Sequence, residues 1–412
     1  MRKMVVMMLA EQQDKEKKES IWNRVYTCVF LANAMLFLGM QMVNTLISLY
    51  AEYLGAAATL IGIVSSLFAL TALIFKIISG PAIDAFNRKY ILMGAIAVIA
   101  VSFFGFAISI TMPMVIGFRL LQGVGQAFTA TCCLALAADS LPPERFGVGI
   151  GTFTLAQAAC QAIGPSIGLE LSKILGYQIT FAIAGVCTMC GVFVIMLIKT
   201  PYREKQKFQI SIKNIFAKEA MLPAILLLFL QMAFININSF LVIFANQRDV
   251  AGIGLFYTVY AVSMLFAPRT VGKLADHYGA AKVLPPAMLM FAFAFWLISE
   301  SSALWMFLIA AVVAAFGYGA SQPAVQTLCM KCVPKERRGS ASSTSYIGQD
   351  LGNLIGPVLA GSIAEQVGYV MMWRAMMLPI IAAFVCVIWF RGRINKIETA
   401  FIESNKKAAD GK

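Results

Sequence analysis

Glycine, proline and acidic positions recur in this chain at a fixed offset of 192 residues. Gly80 and Asp84 return as Gly272 and Asp276, and Pro142, Glu144, Arg145 and Gly147 return as Pro334, Glu336, Arg337 and Gly339. Ile163-Gly164-Pro165 returns as Ile355-Gly356-Pro357. Unrelated segments do not hold so many special backbone positions in one register, so the chain is two copies of one structural unit.

The unit is a membrane unit. With 60% hydrophobic and 13% charged residues, 412 residues carry too little polar surface to clothe a water-soluble globule. Twelve apolar spans recur between residues 23 and 391, each long enough to cross a ~30 Å hydrocarbon core as a helix, since lipid leaves no backbone group unpaired. The expected fold is an all-α integral membrane protein with six helices in residues 1–200, a cytoplasmic linker over 201–220, and six helices in 221–412. Within the linker, residues 208–219 have the pattern of a helix lying on the inner membrane surface.

A net charge of +13 invites a nucleic-acid reading, but the basic residues fill alternate gaps between spans. Lys and Arg crowd the N-terminal tail, the middle gap, the C-terminal tail and the short even gaps, whereas the odd gaps at 51–57, 111–113 and 300–302 have none. The positive-inside rule then puts both termini and the middle loop in the cytoplasm. No cleavable signal is expected, since the apolar stretch Val5 to Ala10 is too short. The lack of Asn-x-Ser/Thr sequons and of large outer loops fits a bacterial inner membrane. Cys187/Cys190 and Cys329/Cys332 have no histidine neighbours to complete a zinc site, and His277, the single histidine, falls in a loop. No phosphate-binding loop, metal cluster or nucleophile-and-base set appears, so neither ATP-driven pumping nor enzymatic catalysis has residues to perform it.

Gly80-x-x-x-Asp84-x-x-x-Arg88-Lys89 lies between spans 2 and 3, with Asn87 and Ala85 at positions where a glycine and a basic residue are usual. Arg119-Leu-Leu-Gln122-Gly123-Val-Gly125-Gln126 lies in span 4, and Ile163-Gly164-Pro165-Ser-Ile-Gly168 in span 5. These segments resemble three signatures of the major facilitator superfamily, and the resemblance covers essentially all twelve spans. It implies two pseudo-symmetric halves that rock around a mid-membrane site. It further implies that Asp84 contacts the start of helix 11, near Gly339 to Ala341, and latches the cytoplasmic side, with Gly80, Arg88, Gly272 and Asp276 in the same gate. Asn87 and Ala85 would weaken that loop. Glu144, Arg145, Glu336 and Arg337, at the starts of spans 5 and 11, are candidates for charge contacts between the halves. Gly164, Pro165 and Gly168, with Gly356 and Pro357 in the copy, form close-packing faces, and a tight seam there would seal a leak path. The span-5 signature favours export over import.

Two isolated charges lie at membrane depth. Arg119 shares a helix face with Gln122 and Gln126, and a guanidinium there requires a polar cavity or a partner. Asp350, about ten residues inside span 11, shares a face with Tyr346 and Asn353 and sits where reversible protonation is possible. Each has alanine at its offset position, Ala311 and Ala158, so the duplication requires neither charge. Asp350 serves as a proton site, as a counter-charge for a cationic substrate, or as an ion-pair partner of Arg119. Gln41, Asn44, Gln157, Gln161, Asn236, Tyr257, Tyr260, Tyr318 and Gln322 are expected to line one central chamber with them.

The expected activity is secondary active transport by a monomer in the lipid bilayer, with no cofactor and with a proton as the coupling ion. Resemblance to the drug:proton antiporter branch implies efflux of small amphipathic or drug-like compounds. The alternative is a proton-coupled symporter or facilitator importing a small polar or anionic metabolite. A non-transporting membrane sensor has no use for the latch and the two charges.

Overall fold

The computed structural model describes residues 21–142, 146–198, 217–333 and 337–410; side chains at 84, 146–148, 150, 151, 154, 267–277, 338, 339 and 401–410 fall outside that description. All regular secondary structure among the described residues is helical, with no strand. The first half comprises α1 (Arg24–Tyr53), α2 (Ala58–Ala85), α3 (Arg88–Ile108), α4 (Met112–Ser140), α5 (Phe146–Leu175) and α6 (Tyr177–Met196). A 3-10 turn (Lys218–Ala220) leads into α7 (Met221–Asn246), α8 (Leu255–Tyr278), α9 (Ala280–Glu300), α10 (Leu304–Lys331) and α11 (Arg338–Val367). The last span is split at Met376 into α12 (Tyr369–Ala375) and α13 (Met377–Trp389), and α14 (Arg391–Asp410) follows. The proposed linker and surface helix fall almost wholly on residues 199–216, outside the described residues.

Nine of the described helical spans are long and apolar enough to cross a membrane. The helices α5, α8 and α11, which stand where the halves meet, complete the twelve. Lipid-facing positions stay apolar, as at Ile179, Val186 and Phe193 on α6 and Leu378 and Val385 on α13, all well exposed. Hydrophobicity is thus turned outward while small and polar residues are turned to the interface.

Local signals set the helix ends. Asn23 caps α1 by accepting the Tyr26 N–H at 2.8 Å. Gly176 and Gly368, related by the 192-residue offset, hold positive φ of 81° and 84° and start α6 and α12 after tight turns that a side chain would strain. Asn87 accepts the Lys89 N–H at 3.0 Å and so caps α3, which means the departure from glycine there supplies an N-cap rather than weakening the loop. In the copy, Gly279 keeps a φ of 84° and has no side chain to cap α9; Glu398 of α14 accepts the Ala280 N–H at 3.1 Å instead.

Within the first half α1 packs on α5 and α6, and α4 on α2 and α3; in the second half α7 packs on α11, and α10 on α8 and α9. The halves meet through α2 on α11, α5 on α8 and, less extensively, α1 on α7. The offset carries Gly62 onto Gly254 and Pro165 onto Pro357, so α2 against α11 and α8 against α5 are one contact repeated. Gly62 lies directly against the Pro357 carbonyl, and Gly361 against that of Ala58. In the copy, the Ser166 hydroxyl donates to the Gly254 carbonyl at 2.7 Å and lies 3.2 Å from Thr258 Oγ1. Both contacts fall toward the face away from the chain ends, the far face. On the terminal face, no atom of the described residues lies within 4 Å of where a Cβ on Gly80 would stand.

Candidate functional site

An apolar span admits a charge only with a partner, and here a lysine meets Asp350. Lys76 projects from α2 of one half, nine residues from that helix's end at Ala85; Asp350 projects from α11 of the other half, twelve residues from its start at Arg338. Those positions put both about 14–18 Å from the terminal-face helix ends at 1.5 Å per residue. Lys76 Nζ lies 2.5 Å from Asp350 Oδ2, with side chains 22% and 14% exposed. The same ammonium sits 5.0 Å from the centre of the Tyr346 ring, one turn earlier on α11. Asp350 is therefore paired across the halves, but by Lys76 and not by Arg119.

Arg119 is buried entirely within its own half. Its Nε donates to the Val64 carbonyl at 3.2 Å, and Nη1 donates to Asn44 Oδ1 at 3.2 Å and Gln122 Oε1 at 2.8 Å. Its guanidinium lies 5.1 Å from the Phe68 ring centre. These partners are all neutral. The fork geometry of arginine suits such a set of acceptors.

A second polar chain occupies the other half. Tyr318 Oη donates to Gln231 Oε1 at 2.5 Å, and Gln231 Nε2 donates to Asn353 Oδ1 at 2.7 Å, one turn from Asp350. Phe234 stacks on Tyr318 with ring centres 4.0 Å apart and stands 5.9 Å from Tyr260. Among the buried polar atoms with no protein partner are four from expected lining residues: Gln122 Nε2, Gln126 Oε1, Asn236 Oδ1 and the Tyr260 hydroxyl.

Other expected lining residues are engaged locally. Gln157 donates to Asn33 Oδ1 at 3.4 Å, Asn236 to its own helix at Met232 O (2.8 Å), Tyr257 to Ile237 O (3.2 Å) and Gln322 to Gln326 Oε1 (3.1 Å). Gln41 and Gln161 are half-buried. A cavity of about 250 Å³ does lie between the halves, but at the far face, lined by Leu49, Leu169, Ser172, Tyr177, Val242 and Asn246, and no expected lining residue borders it.

The expected packing glycines do approach neighbouring helices closely, and those contacts are within the halves. Gly164 approaches Gln41 Cβ, 2.7 Å from where its own Cβ would stand, and Gly168 approaches Met42 Cα at 3.1 Å; both contacts are inside the first half. Gly348, Gly352 and Gly356 likewise pack α11 on α7. The seam between halves is made by Gly62 against Pro357 and by Ser166 against Gly254.

Of the expected gate, Arg88 ties α3 to the end of α4 through Asp139 at 2.6 Å and to the end of α2 through the Ile83 carbonyl at 3.3 Å. Arg337 pairs with Glu219 at 2.8 Å, joining the start of α11 to the turn before α7 within one half rather than bridging the halves. The side chains of Asp84 and Asp276 and the surroundings of Gly272 lie outside the described residues, as do Glu144, Arg145 and Glu336. Lys76, Gln231 and Gln326 are the site residues that sequence reasoning does not single out. A lysine too deep in an apolar span to reach the headgroups is the signal for the first.

Comparisons with known proteins bear on the family and the fold. The family model of the Major Facilitator Superfamily matches residues 29–267 and again 221–409. The multi-drug resistance efflux pump PmrA of Streptococcus pneumoniae is 24% identical over 389 residues, covering 89% of this chain and 95% of the relative. An uncharacterised MFS-type transporter of Methanocaldococcus jannaschii, MJ1560, is 23% identical over 358 residues, covering 84% and 92%. Among solved structures, the nucleoside transporter NupG aligns with a TM-score of 0.73 at 15% identity, covering 88% of this chain and 98% of that one, a likeness of fold alone.

Proposed function

The chain belongs to the Major Facilitator Superfamily, and within that membrane-transporter family we propose that it exports small amphipathic compounds in exchange for protons, by alternating access. The observation that carries the reading is the Lys76–Asp350 pair, made between the halves rather than within one. Protonating Asp350 removes the charge that holds Lys76, which costs about 3 kcal/mol or less for a partly exposed pair, and so frees the halves to rock. The helix seam at Gly62–Pro357 and Ser166–Gly254 supports a protein closed at the far face. The positive-inside rule makes the terminal face cytoplasmic, so the closed face is the outer one. The likeness to efflux pumps supports the direction.

The test is a proton-flux assay in proteoliposomes with a preset pH gradient and a panel of lipophilic cations, organic anions and sugars. An exported substrate dissipates the gradient in vesicles whose interior corresponds to the outside of the cell, and Asp350→Asn abolishes that dissipation. Coupling that survives Asp350→Asn unchanged rules Asp350 out as the proton site. The second reading, transport of a small anionic metabolite, draws on Arg119, whose partners are all neutral; dissipation by anions alone selects it.

A further inference from the structure

The residues around the Lys76 ammonium make up the surroundings that recognise organic cations: a carboxylate oxygen at 2.5 Å and an aromatic face at 5.0 Å. Both recognising groups, Asp350 and Tyr346, stand one turn apart on α11, while the ammonium arrives from α2 of the opposite half. The occupant is therefore removable by motion between halves without disturbing the corner that holds it. We infer that the Asp350–Tyr346 corner is a cation-recognition subsite that Lys76 fills as a tethered surrogate, and that the ammonium or phosphonium group of an amphipathic substrate displaces it. The inference rests on the export reading above and adds to it the charge class of the substrate.

Four further observations point the same way. The pair is not needed to build a half, because the 192-residue offset places Pro268 opposite Lys76 and Ala158 opposite Asp350. The corner is not sealed, since Lys76 keeps 22% and Asp350 14% of its side-chain surface exposed. Arg119, the fully buried cation of α4, is committed to Val64 O, Asn44 and Gln122 in its own half and does not compete for Asp350. The neighbouring polar groups on α11 and α7, Asn353 and Gln231, are neutral and satisfy each other at 2.7 Å. An entering anion would have to draw Lys76 away and leave Asp350 unpaired, whereas an entering cation leaves Asp350 paired and lets Lys76 swing toward solvent. Cation binding thus breaks a contact that holds the two halves together, and its energy is spent on the motion that transport needs.

The test uses the full-length protein in nanodiscs and two ions of matched size and opposite charge, tetraphenylphosphonium and tetraphenylborate. A site free only when its tethered occupant is away binds with an affinity reduced by that fraction, so Lys76→Gln is expected to tighten tetraphenylphosphonium about tenfold or more and leave tetraphenylborate unimproved. Lys76→Arg keeps a surrogate and is expected to stay weak. Tyr346→Leu weakens the cation several-fold and Tyr346→Phe restores it, a readout independent of any Lys76 variant; should Lys76→Gln prove unstable, Lys76→Met repeats the measurement. Unchanged or weaker cation binding in a folded Lys76 variant overturns the inference, as does equal tightening of both ions. Proton-coupled flux of neutral or anionic compounds with no competition from tetraphenylphosphonium leaves the export reading standing and removes this subsite. Cation binding as predicted with no flux in either direction does the reverse.

Discussion

Glu365 and Thr59 belong to opposite halves, yet the Glu365 carboxylate Oε2 accepts the Thr59 backbone N–H at 3.0 Å. Thr59 is in the first turn of α2, whose own N-cap, Ala57, has no side chain able to accept. The end of α11 therefore completes the start of α2, with negative charge at the positive end of a helix dipole. The arrangement exists only while the far face is closed.

Replacing that carboxylate by an amide weakens the contact without changing its shape. Glu365→Gln is expected to raise the share of molecules open at the far face. A cysteine placed at Ser172, which lines the far-face cavity, reports this as roughly a few-fold faster labelling by a water-soluble maleimide, the scale of a lost charge-assisted bond. Labelling at the parental rate means that Glu365 does not help to hold the far face closed.

Gly62 and Gly254 are equivalent in the duplication but not in their room. A Cβ on Gly62 collides with the Pro357 backbone, whereas one on Gly254 meets Ser166 Cα at 3.5 Å, an ordinary contact. Gly62→Ala is expected to cost about 1–3 kcal/mol of overpacking in the closed arrangement, and Gly254→Ala nearly nothing. Thermal unfolding in detergent compares the two. An equal effect means that the seams are not built as described.

Much of this architecture is legible in the sequence because a duplication writes each backbone requirement twice. Gly62 and Gly254, Pro165 and Pro357, and Gly176 and Gly368 fall in one register whose spacing survives side-chain divergence. The site is less legible because its chemistry is what the duplication does not repeat. Asp350 and Arg119 stand out as charges in apolar spans, but which charge meets which depends on how the halves face each other, and no periodicity encodes that. Lys76 reads as a snorkelling residue near a span end until its depth on α2 is counted. Gly164 and Gly168 advertise close packing without naming the partner, which is α1 of their own half.

Arg119 is held by three acceptors spread around its guanidinium, one reached by Nε and two by Nη1. A lysine ammonium keeps the charge but cannot span that set. Arg119→Lys and Arg119→Gln are therefore both expected to lower thermal stability, by about 2–4 kcal/mol of lost charged hydrogen bonds, with no rescue by lysine. Full stability in Arg119→Lys assigns the position a role of charge alone.

The two halves cap the equivalent helix in different ways. In the first, Asn87 caps α3 from within, accepting the Lys89 N–H at 3.0 Å. In the second, Glu398 reaches from α14 to accept the Ala280 N–H at 3.1 Å and stands 3.7 Å from Lys331 at the end of α10. Both Asn87→Ala and Glu398→Ala remove an N-cap and are expected to cost about 1 kcal/mol each. Only Glu398→Ala also detaches α14, because the carboxylate ties that helix to both α9 and α10. Limited proteolysis separates the outcomes: trypsin cleaves after Arg391, Arg393 or Lys396 faster in Glu398→Ala than in Asn87→Ala or the parent. Equal cleavage in all three means that α14 is held by its buried Ile394 instead, and Glu398 is then a cap and nothing more.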